Sequence, residues 1–248
     1  MLITLVSFKD KLNGRKRYDS FVKIVNDTKA DFVLFCGNTL YNESYLKDLQ
    51  GSIENSNTTV LFEVGKVKES SLINLKYCLY TIQKGQIVNL YTNQLFTQSA
   101  DINNNNKSLC ERFINELETR RRLTVNGKKC LILQCGENNI IRNIQSEHNR
   151  AAFRLEQRKD LEERFMKLLQ SVDIILNPIH SPMSNYDKIE KRRIFLSDSK
   201  RYYFSVCNAV GKVGFDSSRI YYGYYNGKLI DKAEEYCSRD YILLTYQI

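Results

Sequence analysis

The sequence predicts an α/β fold built on a mixed sheet or on two stacked sheets, and three observations carry that reading. Short apolar runs of strand length recur along the chain. Stretches with apolar residues at helical spacing separate several of them, and turns bearing glycine join others as hairpins. Helical crossovers bring parallel strands and hairpins bring antiparallel ones, so both kinds of pairing are expected together.

The chain opens with an apolar run over residues 2–8, followed by Tyr18, Phe21, Val22 and Val25 at helical spacing. A second apolar run, Asp31-Phe-Val-Leu-Phe35, then completes a β-α-β opening. Leu46, Leu49 and Ile53 mark a second helix, and Thr59-Val-Leu-Phe-Glu-Val64 reads as strand. Tyr77 to Ile82 and Ile87 to Tyr91 flank Gln83-Lys-Gly-Gln86, a loop of hairpin length with glycine where a tight turn needs it. Leu109, Phe113, Ile114 and Leu117 predict a helix ahead of the Val125-Asn-Gly-Lys128 turn, and Cys130 to Gln134 predict a strand. Leu161, Phe165, Leu168 and Leu169 share one helix face and lead into Val172-Asp-Ile-Ile-Leu-Asn177, a strand expected to end at Pro178. Tyr202 to Cys207, Ser218 to Tyr222, a Tyr225-Asn-Gly-Lys228 turn and Tyr241 to Tyr246 supply the last strands.

With 248 residues, 42% of them hydrophobic and 26% charged, one domain over residues 1–248 accommodates everything. The first residues carry no basic leader, and no run approaches the roughly 20 apolar residues of a membrane span, so a soluble cytoplasmic protein is expected. Seven cysteines, odd in number and without a C-x-x-C pair, read as reduced thiols. With only His148 and His180 beside them, no metal and no cofactor are expected. The net charge of +9 is spread over short runs such as Arg120-Arg-Arg122 and Lys191-Arg-Arg193, which favours solvated faces over a nucleic-acid groove. Any nucleic-acid binding should therefore be weak and non-specific.

One segment carries chemistry. Leu131-Ile-Leu-Gln-Cys135-Gly-Glu137 delivers a cysteine to the end of an apolar run, where α/β enzymes place nucleophiles. It resembles the nucleophile strand of the nitrilase, or carbon-nitrogen hydrolase, superfamily: an apolar strand, the catalytic cysteine, a bulky residue, then Asp or Glu, with Gly136 here at the bulky position. Further segments are similar to that family in the same order. These are Ala30 to Phe35, the Tyr77 to Tyr91 hairpin, Val172 to Pro178, Cys207-Asn-Ala-Val-Gly211, and Gly214 to Ile220 with the Asn226-Gly227 turn. The resemblance implies a four-layer α-β-β-α sandwich with mixed sheets. It also implies a homodimer or larger assembly through helix faces, for which the Leu161, Phe165, Leu168 and Leu169 stripe offers an apolar surface unless core packing within one subunit uses it.

The family's reaction uses a cysteine thiolate, a glutamate that moves the proton and a lysine that stabilises the tetrahedral intermediate. By the resemblance, the glutamate position falls on Gly37, with Asn38 beside it, and the lysine position on Asn93. Cys135 is the candidate nucleophile, while Gly136, Glu137, Asn38 and Asn208 are the candidate binding residues around it; Gly211 and Ser218 fall in the similar segments as a turn and a supporting hydroxyl. Glu43, Glu54 or Glu63 could replace the lost base, and Lys76, Lys84 or Lys107 the lost cation. His148 could join the site from a loop. The resulting expectation is a non-hydrolytic binding or complex subunit with an incomplete triad, with a possible protein partner and no membrane association. The alternatives are a working thiol-dependent amidohydrolase with Cys135 as nucleophile and a basic module for nucleic acid.

Overall fold

The computed structural model describes residues 1–9, 12–68, 73–103, 105–182, 186–209 and 221–248. In chain order these form β1 (Leu2–Phe8), α1 (Gly14–Asp27), β2 (Phe32–Phe35), α2 (Ser44–Ser52), β3 (Thr59–Lys68), β4 (Asn74–Gln83) and β5 (Gln86–Asn93). After them come α3 (Lys107–Thr119), β6 (Arg122–Val125), β7 (Lys128–Ile132), a 3₁₀ segment Cys135–Ile140, β8 (Ile141–Ile144), β9 (Arg150–Phe153) and α4 (Lys159–Gln170). The remainder is β10 (Ile174–Ile179), α5 (Tyr186–Ser197), β11 (Tyr202–Cys207), β12 (Tyr221–Tyr225), β13 (Lys228–Leu229), β14 (Glu234–Cys237) and β15 (Tyr241–Gln247).

Seven strands make one sheet in the order β14-β15-β1-β2-β3-β4-β5, and six make a second in the order β13-β12-β11-β10-β7-β6. Both are mixed. β1, β2 and β3 run parallel, as do β7, β10 and β11, and antiparallel strands flank each parallel trio. The hairpin turns follow from local chemistry. Lys84-Gly85, Asn126-Gly127 and Asn226-Gly227 all have positive φ at both positions, the geometry that matches the twist of the paired strands.

Period-two alternation sorts side chains between two cores. On β7, Cys130 and Ile132 join the core shared with β1, β2, β3 and α1, whereas Leu131 and Leu133 face α3 and α4; Phe204 and Tyr203 divide the same way on β11. The two sheets therefore pack face to face with helices outside, an α-β-β-α sandwich. Leu161, Phe165, Leu168 and Leu169 are all buried in the chain's own second core, so that stripe is not an exposed face for a partner. No helix among the described residues is long and apolar enough to cross a membrane.

Two elements depart from expectation. β10 runs through Pro178 to Ile179. This is possible because the pairing with β7 ends at Leu176, so the ladder asks for no N–H at the proline. Helix α5 was not expected because its inward face includes Arg193 and Ser197 beside Ile189 and Leu196, which blunts the apolar period.

Candidate active site

The exits of the two parallel trios meet at one end of the sandwich, the place where α/β sheets commonly hold their ligands. The Gly37 N–H after β2 donates to the Ile179 carbonyl of β10 at 2.9 Å, and the Ala209 N–H after β11 donates to the Phe8 carbonyl of β1 at 2.9 Å. The strand tips of both sheets are thus tied by backbone, and the side chains they carry converge.

Cys135 lies at the start of the 3₁₀ segment, three residues beyond the end of β7, and is half-buried. Its neighbours explain the placement. Glu137 accepts the Gln134 N–H at 2.8 Å and the Leu95 N–H at 2.9 Å, and it pairs with Arg121. Both members of that ion pair are fully buried. Burial pushes the Glu137 carboxyl up, while Arg121 and the two amides pull the other way. Arg121 also donates to Thr92 Oγ1 at 2.9 Å and to the Asn93 carbonyl at 2.6 Å. Glu137 therefore braces the cysteine turn from inside, with its oxygens already engaged. Gly136 is required for packing: a Cβ there would lie 2.5 Å from the Phe96 carbonyl oxygen and 2.6 Å from that of Thr97.

Beside Cys135 stands His180, the residue after β10. Its Nε2 is 2.8 Å from Glu63 Oε2, and Cys135 is near enough to act on the charge of the ring. Glu63, from the middle of β3, has 0% exposure. Its Oε2 also accepts the Asn38 N–H at 2.8 Å, and its Oε1 accepts Gln134 Nε2 at 2.7 Å. A carboxylate held this way orients and charges the imidazole. Burial alone would lower the His180 value, but Glu63 and Cys135 outweigh it and push it up to about 11.

The remaining sequence candidates are placed around this trio. Asn38 adopts φ 55°, which turns its N–H onto Glu63. Asn208 is buried and donates to the carbonyls of Gly37 (2.8 Å) and His180 (2.9 Å), so it fixes backbone on both strand tips. Gly37 carries no side chain, and a Cβ there would fall 2.3 Å from His180 Cδ2. The imidazole fills the space next to the position where the resemblance puts the family glutamate. Asn93 is half-buried and donates to the Gln94 carbonyl at 3.2 Å. Lys76, Lys84 and Lys107 are exposed, as is Glu54, and Glu43 is half-buried at the start of α2. His148 lies exposed in the β8–β9 turn. Gly211 and Ser218 lie outside the described residues. Among the described residues no group of three or more His, Cys, Asp or Glu could hold a metal ion.

His180 and Gln134 are the residues that sequence reasoning missed. The available signal was the one that singled out Cys135: His180 also follows an apolar parallel strand, one residue beyond Ile179.

A two-sheet sandwich flanked by helices, with a cysteine at the meeting of its strand tips, defines a class of α-β-β-α folds. Comparison with solved structures identifies that fold as the one shared by the nitrilase superfamily. A CN-hydrolase superfamily protein from Xanthomonas campestris, with an arsenic adduct in its active site, superposes with a TM-score of 0.57 at 12% identity, covering 100% of this chain and 90% of its own. A variant of the amidase from Nesterenkonia sp. AN1, showing the result of acrylamide addition at its active-site cysteine, gives 0.58 at 8% identity, covering 100% and 93%. The glutamine-dependent NAD(+) synthetase from Cytophaga hutchinsonii gives 0.57 at 10% identity, covering 99% of this chain but only 42% of the synthetase. No family model matches the sequence, and no curated protein matches it.

Proposed function

We propose that the protein is a thiol-dependent hydrolase of carbon–nitrogen bonds in which Cys135 is the nucleophile, His180 the proton carrier and Glu63 the group that orients and charges His180. The observation that carries this reading is the 2.8 Å contact of His180 Nε2 with the buried Glu63 carboxylate, with Cys135 among the groups that act on the same ring. A nucleophile, a base in contact with it and a third group that orients the base are the parts that covalent catalysis needs. On this reading the Glu63 carboxylate acts on the thiol through an imidazole.

The steps follow from where the protons sit. With Nε2 committed to Glu63, Nδ1 is the nitrogen that takes the thiol proton, leaving a thiolate beside an imidazolium. The thiolate adds to an amide carbon, and the C–N bond then breaks as His180 returns its proton to the departing nitrogen, giving a thioester and a free amine. Water attacks the thioester with His180 accepting its proton, and the acid and the thiol are released. An imidazolium held charged also supplies positive charge near the tetrahedral intermediate, a role that Asn93 cannot fill.

A panel of simple amides tested by product release, with Cys135→Ala and His180→Asn as controls, decides the matter. Hydrolysis lost in both variants supports the hydrolase. If no amide is cleaved and Cys135 is inert to iodoacetamide at neutral pH, the non-hydrolytic binding subunit is the better reading.

A further inference from the structure

Tyr77 occupies a place in β4 that local energetics do not favour. Its φ is +57°, a left-handed conformation that bulky side chains rarely adopt. Yet β4 pairs with β3 on either side of it, Cys78 with Val64 and Lys76 with Lys66. A strained residue inside an otherwise regular ladder persists only when its surroundings hold it there, and such residues gather at functional sites.

The surroundings are those of the reacting group. The Tyr77 ring centroid lies 4.0 Å from that of His180, with the planes 38° apart. The Tyr77 carbonyl accepts Gln134 Nε2 at 2.7 Å, and the same nitrogen donates to Glu63 Oε1 at 2.7 Å. Tyr77 is therefore tied both to the imidazole and to its carboxylate partner: its ring lies against His180, and its backbone shares a donor with Glu63. The titratable groups facing His180 among the described residues are Glu63 from β3, Cys135 from the 3₁₀ segment and Tyr77 from β4.

We propose that Tyr77 is a positioning residue: the left-handed turn in β4 presents its ring to His180, and the bare Cα of Gly37 leaves room for the Cδ2 edge. The ring limits the imidazole's rotation and keeps water from one of its faces. Its π-electrons also favour the cationic form. This rests on His180 serving Cys135, as argued above, and it adds what holds His180 in place.

The test uses the full chain with Tyr77→Phe, Tyr77→Ala and Tyr77→Gly. It reads iodoacetamide labelling of Cys135, urea stability, and the pH titration of the His180 imidazole resonance by NMR. Tyr77→Phe should keep both the labelling rate and the titration. Tyr77→Ala and Tyr77→Gly should label about tenfold more slowly and move the His180 midpoint down by about one pH unit. Glycine is at ease at positive φ, so Tyr77→Gly should be more stable than Tyr77→Ala while labelling no faster. That split separates positioning from general loss of structure. Wild-type labelling and titration in Tyr77→Gly would overturn the proposal, and so would a loss in Tyr77→Phe equal to that in Tyr77→Ala. If wild-type Cys135 proves inert, the hydrolase reading fails on its own. The His180 midpoint still decides the role of Tyr77: a downward move in Tyr77→Gly upholds it and an unmoved one overturns it.

Discussion

Gly37→Ala tests the central claim, that His180 occupies the room left by a missing side chain. The added Cβ would sit 2.3 Å from His180 Cδ2, 2.9 Å from the Ile179 carbonyl carbon and 3.0 Å from the His180 nitrogen. Carbon atoms in contact prefer about 3.5–4.0 Å, so the ring must retreat by roughly 1 Å. Two of the three clashing atoms are backbone and cannot swing aside. Overpacking of this kind costs about 1–3 kcal/mol, and a misplacement of roughly 1 Å is enough to slow a reaction about 100-fold. Gly37 is not among the positive-φ glycines, so the backbone itself accepts alanine. The assay is site-resolved mass spectrometry of iodoacetamide labelling, in a Cys237→Ser background because Cys237 is exposed, with urea unfolding alongside. Adding His180→Ala to Gly37→Ala should recover part of the stability and none of the labelling rate. Labelling of Gly37→Ala within about twofold of wild type, at unchanged stability, would refute the reasoning.

Other outcomes follow from the same geometry. His180→Asn should slow Cys135 labelling by about 10²-fold or more and remove any amide hydrolysis, measured by labelling rate and product release. Because the folded His180 value is raised from 6.5 to about 11, its stabilisation is fully present below pH 6.5 and is lost as pH rises towards 11. The stability gap between wild type and His180→Asn, from urea unfolding at several pH values, should shrink across that window. Arg121→Met leaves Glu137 buried without its cation and should destabilise the protein by about 3–5 kcal/mol, again read by urea unfolding. Binding to nucleic acid, followed by anisotropy, should be weak and fall steeply with salt, since the +9 charge is scattered.

Much of the fold was legible because its strands announce themselves locally. The β4–β5 hairpin, the Asn126-Gly127 and Asn226-Gly227 turns and the stripe of α4 each express a rule acting over a few residues. The β8–β9 hairpin and β14 were not read. β14 is exposed along its whole length and so carries no apolar alternation, and Asn143 and Arg142 interrupt β8. The stripe of α4 was legible as a helix face with its destination left open, because an apolar face looks the same whether a partner or the chain's own sheet covers it; the chain's own core covers it.

The site was legible only in part, for a physical reason. Catalysis depends on where charges sit in space, and sequence order records only which strand carries them. Cys135 was singled out because α/β folds commonly hold reactive groups at strand tips. Asking which residue follows β2 and the hairpin led to Gly37 and Asn93, and so to a site without base or cation. The sandwich brings six segments to one place, and a carboxylate in the middle of β3 can serve a histidine after β10 because the two sheets meet there. Gly37 and His180 fit each other sterically, since the space that a larger residue at 37 would fill is the space the imidazole occupies. If the amide panel shows turnover, the missing carboxylate at one strand tip will have been weak grounds for inferring a lost reaction, because another tip of the same cluster holds an imidazole against a buried carboxylate.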